Sequence, residues 1–250
     1  MMLASVDYSL LLLFLIAVMA VLYSSVGHGG ASGYLAAMAL YGLAPDVMRP
    51  AALTMNVFVA GFVLLRLSQA GYFNGRLFLP IAVASMPMAY LGGSLVLDDT
   101  LYKAIAGAGL LLAALPLMFR VTDQVQLVNV KTPLAMLFGA LLGFFAGLTG
   151  IGGGVYLSPL LLFLHWTHMR GSAAMAAAFV LVNSIAGLLG YISTEGDWPP
   201  GIPLLVLVAL SGAVMGSWLG VKRLAPAILR RLLGLVLLVA GLKMVVATFS

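Results

Sequence analysis

The residues able to do chemistry gather around two glycine runs. The first reads Gly27-His28-Gly29-Gly30-Ala31-Ser32-Gly33 and the second Gly147-Leu148-Thr149-Gly150-Ile151-Gly152-Gly153-Gly154. Hydroxyls stand beside both: Ser24, Ser25 and Ser32 at the first, Thr149 and Ser158 at the second. Glycine at this density does not stay helical, so each run is a break in an apolar helix. A helix restarting after the break, at Gly33-Tyr34 or Gly154-Val155-Tyr156, presents free N–H groups and the positive end of its dipole. With no carboxylate alongside, the pocket is rich in donors and suits a small oxyanion. The residues expected to line it are Ser25, Gly27, His28, Gly29, Gly30 and Ser32 from the first run, and Thr149, Gly150, Gly152, Gly153, Gly154 and Tyr156 from the second. Asn56 and Asn183 join them from within apolar segments, where a buried amide must bond broken backbone or line a pathway.

Other chemistries are poorly supplied. All seven acidic residues, Asp7, Asp46, Asp98, Asp99, Asp123, Glu195 and Asp197, fall in termini or between apolar runs. That leaves no buried carboxylate for a proton relay or a sodium site. Coupling must then use His28, hydroxyls, backbone carbonyls or protonation of the substrate itself. There is no phosphate-binding Gly-Lys-Ser/Thr loop, and His165 with His168 lacks an acidic partner for a metal. His28 with Ser24 or Ser25 is the nearest approach to a nucleophile and base. No enzyme activity, cofactor or metal is expected.

The elements that must hold these residues follow from composition. Of 250 residues, 63% are hydrophobic and 8% charged, against roughly a quarter charged in a soluble domain. A chain of this kind is a polytopic membrane protein. The net charge of +5 is spread over single or paired residues and forms no basic stripe, so nucleic acid is excluded as a partner. Zero cysteines exclude disulfides and thiolate sites. A span needs about 20 apolar residues. Segments near 50–66, 77–97, 100–119, 171–192, 201–221 and 227–248 meet or approach that length, with Asp99 and Thr100 as caps of the third and Pro226 opening the last. The stretches 8–42 and 133–165 are too long for one span, and each reads as a helix, a glycine tip within the membrane and a short returning arm.

The tips superpose at an offset of 123: Gly27, Gly29 and Gly30 fall on Gly150, Gly152 and Gly153. Met48-Arg49 then resembles Met169-Arg170, and Asn56 resembles Asn183. The expected fold is all-α, an inverted repeat with residues 1–120 as the first membrane repeat and 121–250 as the second. Each repeat holds one glycine-broken re-entrant hairpin and three transmembrane helices. With both termini outside, the inner loops hold Arg66, Arg76, Arg120, Lys131, Arg170, Lys222, Arg223, Arg230 and Arg231, and the outer ones only Arg49 and Lys103. Arg49 and Arg170 would stand at the two entrances. Lys243 would snorkel outward, and Trp166, Trp198 and Trp218 would sit at interfaces. The ladders Gly139, Gly143, Gly147 and Gly212, Gly216, Gly220 read as helix-packing surfaces.

Gly-His-Gly-Gly in the first half, Gly-Leu-Thr-Gly-Ile-Gly-Gly-Gly-Val-Tyr-Leu-Ser-Pro at 147–159, and Asn183-Ser184-Ile185-Ala186-Gly187 together resemble the TauE/SafE family, the toluenesulfonate uptake permeases. The first tip departs from the pattern, with Ala31 at the position of Gly154. The resemblance implies a permease of the plasma (inner) membrane for sulfite, sulfoacetate or other organosulfonates. The expectation is therefore a secondary transporter, with a channel-like passive anion pathway as the alternative. Its partners would be a small anion and the lipid bilayer, and a homodimer stays open.

Overall fold

A computed structural model describes residues 9–25, 30–118, 127–194, 199–219 and 226–249, with the side chains of 219 and 226–230 left aside. Among the described residues every regular element is helical. They are α1 (Leu10–Ser25), α2 (Ala31–Tyr41), α3 (Pro45–Gln69), α4 (Gly75–Ser94), α5 (Asp99–Met118), α6 (Thr132–Thr149), α7 (Gly154–Phe163), α8 (Met169–Thr194), α9 (Ile202–Leu219) and α10 (Pro226–Val246).

Local chemistry sets most of the boundaries. Pro45 opens α3 where its missing N–H costs nothing, and exposed Asp46 in that first turn complements the helix dipole. Asn74 caps α4, its Oδ1 accepting from the Leu77 N–H at 3.2 Å. Asp98, not Asp99, caps α5 by accepting from the Leu101 N–H at 2.9 Å. Gly42 ends α2 and Gly150 ends α6, both in the left-handed conformation that glycine adopts without a Cβ clash.

Among the described residues five helices, α3, α4, α5, α6 and α8, are long and apolar enough to cross a membrane. α6 has 18 residues, about 27 Å of rise, so the arm leading into the second break is itself of spanning length. α2 and α7 have only 11 and 10 residues, about half the length of a span. Large apolar side chains such as Phe14, Leu79, Leu207 and Trp218 lie more than half exposed, an outer surface fitted to lipid rather than water. Trp166 is turned into the protein rather than toward lipid. It is buried, packed with Leu161 and Phe179.

Glycines set the helix pairings. Gly139, Gly143 and Gly147 of α6 lie against the backbone of Ile81, Ser85 and Ala89, so α6 runs parallel to α4 with almost no space between them. Gly212 and Gly216 of α9 lie in the same way against Ala17 and Val21, which makes α9 parallel to α1. Both ladders are therefore packing surfaces; Gly220 falls outside the described residues. α3 crosses α8 antiparallel, Gly61 facing Leu181 and Gly187 facing Leu53. α5 and α10 are antiparallel as well, with Gly107 against Gly241 and Gly234 against Ala114.

Candidate functional site

The second break is a tight left-handed path. Gly150, Gly152 and Gly153 have φ of 78°, 76° and 70°, a region costing an L side chain roughly 1–2 kcal/mol. Gly30, at φ 82°, is the N-cap of α2 just as Gly153 is the N-cap of α7. Backbone bonding within α2 begins where the Tyr34 N–H donates to the Gly30 carbonyl, and in α7 where the Tyr156 and Leu157 N–H groups donate to the Gly153 carbonyl. The N–H groups of Ala31, Ser32 and Gly33, and of Gly154 and Val155, thus have no acceptor within their helices.

These two N-termini meet. A methyl group added at Gly152 would lie 2.8 Å from Ala31 Cβ, 3.0 Å from Val180 Cγ1 and 3.2 Å from Asn56 Nδ2. Beside this contact is a cavity lined by Gly30, Ala31 and Ser32 of the first break, Ile151, Gly154 and Val155 of the second, and Tyr23, Ala176 and Val180. It has room for about one water molecule. Both half-helix dipoles point their positive ends at it, which favours negative charge there.

Of the expected site residues, Gly30, Ser32 and Gly154 line this cavity, and Gly152 and Asn56 stand at its edge. Ser32 Oγ hydrogen-bonds Tyr23 OH at 2.7 Å. Asn56, fully buried in α3, donates from Nδ2 to the Gly150 carbonyl at 3.2 Å, and its Oδ1 has no partner. Asn183, fully buried in α8, donates to the Phe179 carbonyl one turn back at 2.9 Å and also leaves Oδ1 without a partner. Gly150 and Gly153 shape the turn, against Arg49 and Phe179 respectively. Three expected hydroxyls are committed elsewhere. Thr149 Oγ1 donates to the Phe145 carbonyl at 2.6 Å and accepts from the Ile151 N–H at 3.2 Å. Ser25 Oγ donates to the Leu22 carbonyl, and Tyr156 OH donates to the Gly109 carbonyl of α5. Gly27, His28 and Gly29 lie outside the described residues.

Arg49 is the largest departure from the sequence expectation. α3 starts at Pro45, so Arg49 lies within its first turns and not in an entrance loop, and it is 4% exposed. Its Nε donates to the Gly147 carbonyl at 3.2 Å, Nη1 to Leu95 at 2.9 Å, and Nη2 to Gly92 at 2.7 Å and to Gly93. One guanidinium thereby takes the orphan carbonyls at the C-terminal ends of α4 and α6, where helix dipoles favour a cation. It also sits over the Tyr191 ring, 5.6 Å from the centroid. Arg170 makes the corresponding contact with the Tyr72 ring at 5.2 Å, but is exposed. Lys243 is exposed; its Nζ donates to the Leu40 carbonyl at 2.6 Å and caps α2.

Tyr23, which bonds Ser32, was not expected in the site. Its signal is positional: it stands one turn before the first break, on a helix with one other aromatic residue, Phe14. Tyr102 was also missed. Its hydroxyl holds the Thr149 carbonyl at 2.9 Å.

Comparison with known proteins adds independent information. Residues 11–244 match the family described as Sulfite exporter TauE/SafE. Probable membrane transporter protein y4hK of Sinorhizobium fredii is 35% identical, over 91% of this chain and 94% of that protein. Probable membrane transporter protein MJ0441 of Methanocaldococcus jannaschii is 29% identical over 75% of each chain, and YjnA of Bacillus subtilis 28% identical over 88% of this chain and 92% of its own. No solved structure matches.

Proposed function

The chain belongs to the TauE/SafE sulfite exporter family, whose relatives are named as probable membrane transporters, and on that footing we propose that it is a secondary transporter for small sulfur-containing anions such as sulfite or an organosulfonate. The anion is held where the N-termini of α2 and α7 converge. The single observation that carries this is the shared cavity lined by first-turn residues of both half-helices, with no carboxylate among its lining residues.

An inverted repeat is the architecture we infer around that site. The helix pairings support it: a two-fold axis in the membrane plane relates parallel α6/α4 to parallel α1/α9, and pairs α3 with α8 and α5 with α10 in antiparallel fashion. Arg49 with Tyr191 and Arg170 with Tyr72 are related by the same operation. With Arg49 withdrawn into α3, only Lys103 is left opposite the nine inner basic residues, which favours both termini outside. In this reading the breaks are re-entrant tips and alternate access to the cavity.

A carrier fits better than a channel-like pathway, because the cavity holds about one water and is smaller than an oxyanion. Opening must accompany binding. The buried Arg49 pair on the outer side and the exposed Arg170 pair on the inner side fit a state shut toward the outside. Sulfite entry into proteoliposomes tests the function: flux that saturates with sulfite and is lost in Gly152→Val is expected, and flux that rises linearly with sulfite in both proteins contradicts a carrier at this site.

A further inference from the structure

The polar atoms left over around the cavity narrow the chemistry of its ligand. Asn56 Nδ2 is committed to the Gly150 carbonyl, and a carbonyl oxygen cannot face an amide oxygen, so this bond itself fixes Oδ1 as the free atom. That amide lies beside the contact of Gly152 with Ala31 and Val180, two cavity-lining residues. Asn183 follows Val180 by three residues and Ser184 by four, which puts both on the same face of α8. Asn183 Oδ1, with Nδ2 committed to the Phe179 carbonyl, and Ser184 Oγ are buried and without partners. The site therefore combines backbone donors, two helix N-termini and the unpartnered Tyr34 hydroxyl beside Gly30 with one amide oxygen, Asn56 Oδ1, that can only accept.

Building on the anion-transporter reading, the geometry points to a singly charged oxyanion that still carries a proton as the transported species, hydrogensulfite rather than the sulfite dianion. Its negative oxygens meet the N–H groups of α2 and α7, and its hydrogen is donated to Asn56 Oδ1. A fully deprotonated oxyanion leaves that acceptor unsatisfied in a buried site, which is unfavourable. The proton crosses on the substrate and never passes to the protein, so transport is proton-linked without a membrane carboxylate. A sodium ion would also satisfy amide oxygens, but two positive dipole ends facing the cavity disfavour a cation.

Binding of total sulfite to the purified full-length protein, measured across the second ionisation of sulfite, tests this. Methanesulfonate at each pH is the control, because it holds no proton and so reports any titration of the protein itself. The expected result is an affinity for total sulfite, relative to methanesulfonate, that falls tenfold per pH unit above that ionisation. Asn56→Leu should reduce the preference for hydrogensulfite over methanesulfonate by about tenfold, the worth of one hydrogen bond to a charged partner. The wild-type pH series needs no variant to fold. A ratio flat with pH, with both anions bound, overturns this inference and leaves the anion site standing. Affinity that changes when sodium is replaced by choline overturns it in favour of a cation site. Failure of both anions to bind at any pH removes the transporter reading as well.

Discussion

Ala31 and Gly152 stand against each other so closely that a methyl on Gly152 would come within 2.8 Å of Ala31 Cβ. They belong to different glycine breaks, yet no side chain separates them. Two half-helices approach this closely only when one partner lacks a Cβ.

Gly152→Ala should therefore lose stability twice over, from φ of 76° and from the Ala31 contact, by about 2 kcal/mol in all. Adding Ala31→Gly to that variant should recover the part due to the clash and not the part due to backbone strain. Thermal unfolding of the single and double variants measures this; strictly additive effects would mean the breaks do not touch.

Arg49→Met should be among the more damaging single changes. It strips donors from the carbonyls of Gly92, Gly93, Leu95 and Gly147, each buried acceptor left orphaned costing roughly 1–3 kcal/mol. The expected outcome is loss of the monodisperse folded species in detergent, with Arg49→Lys only partly restoring it because an ammonium cannot reach all four oxygens. Arg170→Met, which removes an exposed contact, should leave folding intact.

Thr149→Val should lower thermal stability by about 1 kcal/mol, since its hydroxyl closes the turn between Phe145 and Ile151. Thr149→Ser keeps both bonds and should retain stability and sulfite binding. If Ser binds sulfite no better than Val while both are folded, the residue has a role other than closing this turn.

Lys243→Met removes the cap on Leu40, an exposed contact whose loss should cost at most about 0.5 kcal/mol. A small shift in the unfolding temperature with unchanged sulfite flux is expected; a large loss of flux would tie the returning arm α2 to the transport cycle.

Much of this architecture was legible in the chain because its signals are local. Glycine density marked both breaks, apolar length marked the spans, and four-residue glycine spacing marked the surfaces between α6 and α4 and between α9 and α1. What stayed hidden depends on long-range contact. Arg49 looks like a loop charge beside Pro50, and only the meeting of α4 and α6 ends around it gives it a buried role. Position points to Thr149 and Tyr156 as ligands, but which acceptor a hydroxyl finds is decided by neighbours 4 and 47 residues away. The free amide oxygens of Asn56 and Asn183 could not be read from sequence, since an amide's two ends are distinguished only by what its nitrogen bonds.

The most direct test of the central claim is the thermal stability of the purified protein titrated with sulfite, thiosulfate and methanesulfonate, because a ligand of the native state raises the unfolding temperature by mass action. A saturable rise with at least one of these anions, absent in a folded Gly152→Val variant, is what convergence of α2 and α7 on an anion predicts. An equal rise in both proteins, or none with any of the anions, would contradict it.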